Sequence, residues 1–212
     1  MKNISTVALI SFTLLATACV SHKKQFEGYI DYDLTLTVMD STLVTHDQLV
    51  SNFGTKTTAY HKNGKFKDLG DAANNPIQLY LPEDQLLYSY SLSKDDSIEA
   101  YNISNESGKY NFEVIENADT ILGYPCNLLI ASKENVEKRY FFSPTLYINP
   151  KYYKNYKMGN RDELMVIMEA PVLKLIIVSK TLKLVSEATN VNVQELNNSV
   201  FMLPENRIIK NM

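Results

Sequence analysis

The 212-residue sequence has no excess of basic residues, no long hydrophobic run and no cluster of histidines. A formal net charge of −3 at pH 7 argues against nucleic-acid binding, which needs a basic surface. No apolar stretch beyond the N-terminus approaches the roughly 20 residues of a membrane-spanning helix. The three histidines (His22, His46 and His61) are scattered, and no hydrolase, nucleotide-binding or metalloprotease motif occurs. The sequence therefore predicts no metal, no cofactor and no enzymatic activity.

The sequence is instead rich in residues that can form a core. Hydrophobic residues make up 45% of it, with 8 Phe and 14 Tyr. This composition excludes wholesale disorder, and the length fits a single domain.

The N-terminus is typical of a secretory signal peptide, with Lys2 followed by an apolar stretch at residues 7–18. Ala16-Thr17-Ala18-Cys19 resembles a bacterial lipobox. This resemblance implies cleavage before Cys19 and attachment of lipid to its sulfur. The alternative is an ordinary signal sequence cleaved after Ala18, which leaves Cys19 unmodified.

Acyl chains on Cys19 would provide a lasting membrane anchor. Val20 stands where an Asp would retain a lipoprotein in the inner membrane of enteric bacteria, so we expect the outer membrane. Residues 20–25 contain no acidic run, which favours the periplasmic face. We expect a signal peptide at 1–18, a lipidated tether at 19–25 and one domain at 26–212.

If Cys19 is acylated, Cys126 has no disulfide partner. It is then either a small buried hydrophobic residue or a reactive thiol. No neighbouring histidine or basic residue would lower the pKa of its thiol, which favours burial.

Alternating apolar and polar residues predict strands along most of the chain. Residues 26–38 alternate almost without a break, residues 41–53 change to a helical period before Gly54, and Asn63-Gly64 marks a hairpin. The nearly continuous apolar runs at 164–168 and 172–178 are predicted as strands covered on both faces. The complete pattern predicts about ten or eleven strands in one continuous meander.

The form of residues 149–157 is left open by the sequence. The segment has two interpretations, an interfacial patch for lipid headgroups or a loop whose tyrosines cover the sheet edge. Its aromatic and basic residues are Lys151, Tyr152, Tyr153, Lys154, Tyr156 and Lys157.

Four segments resemble the lipoproteins of the LolA/LolB/LppX-like superfamily, in particular small outer-membrane lipoproteins of Bacteroidetes. They occur in the expected order and span nearly the whole mature chain. They are FEGYI at 26–30 with Tyr32, TAYHKNGK at 58–65, ILGYPC at 121–126, and ATNV at 188–191 followed by Phe201 and Pro204. Pro125 departs from the family pattern, where a lysine is more common.

The resemblance implies a mainly β fold with few helices, formed by a single, strongly curved antiparallel sheet. This sheet would be an unclosed β-barrel with a short helical plug on its concave face. The implied function is that of a membrane-anchored protein that binds a lipid or acyl chain without covalent chemistry. The residues expected to bind the ligand are Ile30, Tyr32, Leu34, Leu36, Tyr88 and Tyr90.

Other interpretations of the same pattern stay open. The six residues can equally form an ordinary core, since a core face and a ligand-lined face have the same alternation. The protein would then be a structural or interaction lipoprotein of the cell envelope, with another envelope protein as partner. A hydrolase is a third hypothesis, which would require a convergent polar cluster in a cavity.

Overall fold

The computed structural model describes residues 23–73, 77–91, 97–105 and 108–212. The predicted signal peptide and Cys19 lie outside these residues. Within them, twelve strands form one sheet and two short α-helices are present. No helix in these ranges is both long and apolar enough to cross a membrane.

The elements follow the chain in this order: β1 (Gly28–Val38), α1 (His46–Phe53), β2 (Lys56–Lys62), β3 (Lys65–Gly70), β4 (Ile77–Leu81), β5 (Leu86–Tyr90), β6 (Ser97–Asn102), β7 (Asn111–Ile121), β8 (Tyr124–Lys133), β9 (Val136–Phe142), α2 (Arg161–Met168), β10 (Val172–Val178), β11 (Leu182–Val193) and β12 (Ile208–Asn211). Among the described residues, three 3₁₀ helices lie at Pro150–Tyr153, Met158–Asn160 and Asn198–Phe201.

The strand order is β12-β6-β5-β4-β3-β2-β1-β11-β10-β9-β8-β7. This order has two ends, so the sheet formed by the described residues is open. The twelve strands and two short helices confirm the mainly β class. The prediction of one continuous meander is wrong, because two meanders meet where β1 pairs with β11. The sheet also contains one parallel pairing, between β12 and β6.

Local signals explain the elements that the sequence predicted. At the β2–β3 turn, Asn63 and Gly64 have φ angles of 49° and 79°, the positive values that a type I′ turn requires. Thr45 and Gln48 form a capping box at the start of α1. Gly54, with φ 72°, ends this helix.

The strand predicted at residues 164–168 is wrong, because these residues belong to α2. Leu164, Met165 and Met168 are buried, whereas Val166 is 64% exposed. Burial at positions i, i+1 and i+4 is the helical period, which so short an apolar run does not distinguish from a strand.

The core lies on both faces of the sheet. On β4, Tyr80 belongs to the largest cluster, which includes residues of α2, whereas its neighbour Leu79 packs in a second cluster with Leu196 and Phe201. Successive side chains of a strand point to opposite faces, so these clusters cover opposite sides of the sheet. A third, small cluster joins Leu49 of α1 to β1 and β11.

The tyrosines of the 149–157 segment pack onto the sheet. Tyr153 and Tyr156 are 1% and 6% exposed. Their rings lie 5.4 Å and 4.8 Å from the ring of Tyr80, whose hydroxyl donates to the Tyr152 carbonyl at 2.7 Å. These two rings are therefore not available to an interfacial patch.

Candidate functional site

A cavity of about 390 Å³ lies between the sheet and the connection from β9 to β10. This volume is within the usual range for sites that bind small molecules. Strands β1–β4 and β9–β11 supply one wall, and Ile148, Arg161 and Met165 of the connection supply the other. We refer to this space as the central cavity.

The strand registers explain which side chains share the central cavity. Ala59 of β2 lies opposite Asp68 of β3, and Asp68 lies opposite Gln78 of β4. All three line the cavity, because directly opposed residues point to the same face.

The central cavity has an apolar side. Leu175 and Ile177 of β10 lie opposite Ser186 and Leu184 of β11, and Leu34 of β1 lies opposite Ser186. The side chains of these three pairings, with Phe53 at the end of α1, form a mainly hydrocarbon surface. The walls contributed by β1, β10 and β11 are therefore suited to an apolar group.

The opposite side of the central cavity is polar. His61, Asp68 and Gln78 come from the neighbouring strands β2, β3 and β4. Arg161, the first residue of α2, faces them from the other wall. The cavity is thus amphiphilic, with its polar groups and most of its apolar groups on different strands.

The Arg161 guanidinium is held by aromatic rings. Its central carbon lies 5.3 Å from the ring centroid of Phe66 and 5.8 Å from that of Tyr153. Contacts of this kind stabilise the cation and restrict the guanidinium plane. The Nε atom of Arg161 is buried and has no hydrogen-bond partner among the described residues.

Burial shifts the pKa values of the two titratable groups opposite Arg161. It raises the pKa of Asp68 to about 6, although the positive charge of Arg161 opposes the shift. Burial, together with Arg161, lowers the pKa of His61 to about 3. At neutral pH His61 is therefore uncharged and Asp68 is mostly ionised.

Tyr32 connects the polar side of the cavity with the start of β10. Its hydroxyl donates to the Val172 carbonyl at 2.6 Å. Burial, and next the negative charge of Asp68, raise the pKa of Tyr32. Tyr32 is thus a neutral donor at physiological pH.

The structure brings only some of the sequence-predicted binding residues together. Tyr32 and Leu34 line the central cavity. Ile30 is fully buried in the largest core cluster, and Leu36 packs with Leu49 and Leu184 in the third. Tyr88 and Tyr90 lie in the second cluster, on the opposite face of the sheet. The binding role of these residues stays a prediction.

Asp68 and Arg161 were not among the residues predicted to bind a ligand. One signal for Asp68 was present, since it lies in phase with the buried Phe66 two residues earlier on β3. An acidic residue in the apolar phase of a strand is unusual unless a partner or a cavity accommodates it. Arg161 had no comparable signal, because residues 164–168 were predicted as a strand and the helix that Arg161 begins was not expected.

Two further sequence expectations concern reactive groups. Cys126 is fully buried and donates to the Tyr124 carbonyl at 3.2 Å. Burial raises the pKa of its thiol, which makes it a weak nucleophile. In the part of the chain that is described, no group of three His, Cys, Asp or Glu side chains could hold a metal ion.

Comparisons with known proteins give no family. No family model matches the chain, and no curated protein matches it. Two structures of PNGF-II resemble it, one in space group P21 (14% identity, TM-score 0.46) and one in C2 (13%, 0.49). They cover 86% and 87% of this chain, which spans 31% of the length of either PNGF-II chain.

Proposed function

We propose that this chain is a membrane-anchored lipoprotein that binds a lipid or acyl chain in the central cavity, without covalent chemistry. The observation that carries the proposal is the cavity of about 390 Å³, with the hydrocarbon side chains of β1, β10 and β11 on one side. Burial of apolar ligand surface there would contribute roughly 25 cal/mol per Å².

In this proposal the sheet is a curved, unclosed half-barrel, as in the LolA-like lipoproteins that the sequence resembles. Residues 143–171, which include α2, act as the plug over its concave face. The burial of Leu146, Ile148, Met165 and Met168 with sheet residues in one core cluster supports this role. Opening of this connection would admit the ligand.

The anchor in the proposal is lipid on Cys19, in the outer membrane and on its periplasmic face. The support is the lipobox-like sequence that ends at Cys19. Mass spectrometry of the membrane-extracted protein tests this part. Acyl chains on the N-terminal peptide are the expected result, and an unmodified cysteine would contradict it.

The chemistry of the polar side favours binding over catalysis. Thr57 and Ser186 line the central cavity and carry hydroxyls, and His61 lies in the same cavity. A histidine whose pKa is lowered to about 3 is a weak base at neutral pH and activates a hydroxyl poorly.

Native mass spectrometry of residues 21–212 purified from bacterial cells tests ligand binding. We expect a co-purifying lipid or fatty acid at near-stoichiometric occupancy. Leu175→Trp, which fills the apolar side, should remove the bound mass. Leu69→Trp, at a position 40% exposed, should retain it. A wild-type protein that stays free of ligand after incubation with envelope lipids would contradict the proposal.

An interaction lipoprotein is the second candidate function, favoured by the outer edge of the sheet. β7 is an edge strand, with Val114 and Ile115 46% and 41% exposed. Phe112 of β7 and Val166 and Ile167 of α2 also line an open groove of about 690 Å³. Such an edge can accept a strand from a partner protein. Cross-linking at β7 in intact cells tests this candidate.

A further inference from the structure

The polar side of the central cavity contains hydrogen-bonding capacity that the protein does not use. Three buried side-chain atoms lack a hydrogen-bond partner among the described residues, and two of them belong to this side: Nδ1 of His61 and Nε of Arg161. His61 is only 6% exposed. Buried polar groups normally have partners, because an unsatisfied group costs about 1–3 kcal/mol.

We infer that the polar side of the cavity binds the carboxylate head group of a single-chain fatty acid, with Arg161 as the counter-ion. This inference rests on the proposed function, and it adds the chemical class of the ligand. In this arrangement the carboxylate lies between Arg161 and His61, and the acyl chain runs along Leu34, Leu175 and Ile177.

The shape and charge of the site favour a carboxylate over other head groups. A guanidinium presents its donors in a planar fork that matches a carboxylate, and the rings of Phe66 and Tyr153 lie 5.3 Å and 5.8 Å from the Arg161 guanidinium. A doubly charged phosphate would meet one cation and the nearby Asp68. A cationic head group would lie against Arg161 itself.

Asp68 gives the binding of a carboxylate a defined pH dependence. The charged and titratable groups that face it are Arg161 of α2, Tyr32 of β1, and Tyr153 and Tyr156 of the β9–β10 connection. The pKa values of these three tyrosines are raised by burial, so they stay neutral. His61 on β2 is also neutral, since burial lowers its pKa to about 3.

The proton of Asp68 should therefore be coupled to the ligand. Ionised Asp68 competes for Arg161 and repels a second carboxylate, whereas protonated Asp68 can donate a hydrogen bond to it. Burial raises the pKa of Asp68 to about 6, so affinity should increase as the pH falls from 7.5 to 5.5. Binding takes up a proton at Asp68 in this range.

The test uses the full-length chain in phosphatidylcholine nanodiscs and two photoreactive probes of equal chain length, a fatty acid and a fatty alcohol. After irradiation, mass spectrometry measures labelling of the peptides from β1 and β10, so that bilayer partitioning does not count as binding. We expect Arg161→Gln to reduce labelling by the fatty acid about 10-fold, the effect of losing a charge-assisted hydrogen bond. Labelling by the alcohol should change less than 2-fold.

Arg139→Gln is the matched control, because Arg139 is exposed and pairs with Glu137 on β9. It should leave labelling by both probes unchanged. Arg161→Lys, which keeps the charge and loses the planar fork, should lie between the wild type and Arg161→Gln. Thermal unfolding monitored by circular dichroism shows which variants remain folded.

The outcomes separate this inference from the proposed function. Cavity labelling by the fatty acid that survives Arg161→Gln would overturn the carboxylate site and leave lipid binding intact. Absence of cavity labelling by both probes would overturn the proposed function and this inference with it. If Arg161→Gln does not fold, Asp68→Asn decides. The ratio of fatty-acid labelling at pH 5.5 to that at pH 7.5 should be lower in Asp68→Asn than in the wild type, a comparison in which titration of the probe cancels, and an equal ratio would overturn the inference.

Discussion

Replacement of Asp68 by asparagine should stabilise the protein at neutral pH. Burial disfavours the ionised carboxyl and raises the pKa of Asp68 from its ordinary 3.8 to about 6. Between these values the folded state binds more protons at Asp68 than the unfolded chain does. The contribution of Asp68 to the free energy of unfolding therefore decreases as the pH rises. Asparagine resembles the protonated carboxyl in shape and carries no charge to bury.

The size of this effect follows from the pKa difference. A shift of about 2 pKa units corresponds to about 3 kcal/mol, at 1.36 kcal/mol per unit. The quantity to compare is the free energy of unfolding of Asp68→Asn minus that of the wild type. We expect this difference to be about 3 kcal/mol larger at pH 8 than at pH 3.5. Most of the change should fall between pH 4 and pH 6.

Urea unfolding followed by far-ultraviolet circular dichroism measures this difference at half-unit pH steps. The pH dependence of the wild type alone does not isolate the effect of Asp68, because His61 changes stability in the opposite direction. Since the pKa of His61 is lowered in the folded state, its contribution to stability decreases as the pH falls below 6.5. Both proteins contain His61, so its contribution cancels in the difference. Asp33→Asn, at an exposed position of β1, is the control. A difference between Asp68→Asn and wild type that stays within 0.5 kcal/mol from pH 3.5 to pH 8 would refute the reasoning.

Three further predictions concern packing, backbone conformation and thiol reactivity. Leu173→Ala, at a fully buried position, should lower the free energy of unfolding by about 2–5 kcal/mol in urea titrations, and a loss below 1 kcal/mol would contradict its place in the core. Gly64→Ala should destabilise more than Gly123→Ala. Both glycines have positive φ, but a Cβ at Gly64 would lie 2.2 Å from the Tyr152 ring and one at Gly123 meets nothing within 4 Å. Cys126 should resist iodoacetamide in the folded protein and react in 8 M urea. Peptide mapping measures the labelling, and rapid labelling of Cys126 in the folded protein would disprove this prediction.

Local sequence signals predicted the elements that depend on few neighbours. Asn63-Gly64 specifies its own turn, and Thr45 and Gln48 begin α1 within one helical turn. The strand predicted at 164–168 was wrong because the structure of this segment depends on distant residues. Five consecutive apolar residues satisfy either a helix or a strand, and only burial against the sheet selects the helical positions.

The central cavity could not be predicted in this way. Tyr32 and Leu34 were expected to share a site with Tyr88 and Tyr90, yet those tyrosines lie on the opposite face of the sheet. All four alternate with polar or smaller neighbours, so each pattern shows that a face is covered without showing what covers it. Arg161 reaches the cavity only because the β9–β10 connection folds back across the sheet.

The sequence by itself determined the mainly β class, the strands at residues 28–38 and 172–178, the turn at Asn63-Gly64 and the position of the first helix. These properties depend on residues within a few positions of one another, where alternation and turn residues act directly on the backbone. The tertiary structure decided that β11 pairs with β1, which face of each strand meets α2, and that Asp68 and Arg161 share one cavity. Such contacts join distant parts of the chain, and they form because the folded protein minimises exposed apolar surface over the whole sheet rather than within each strand.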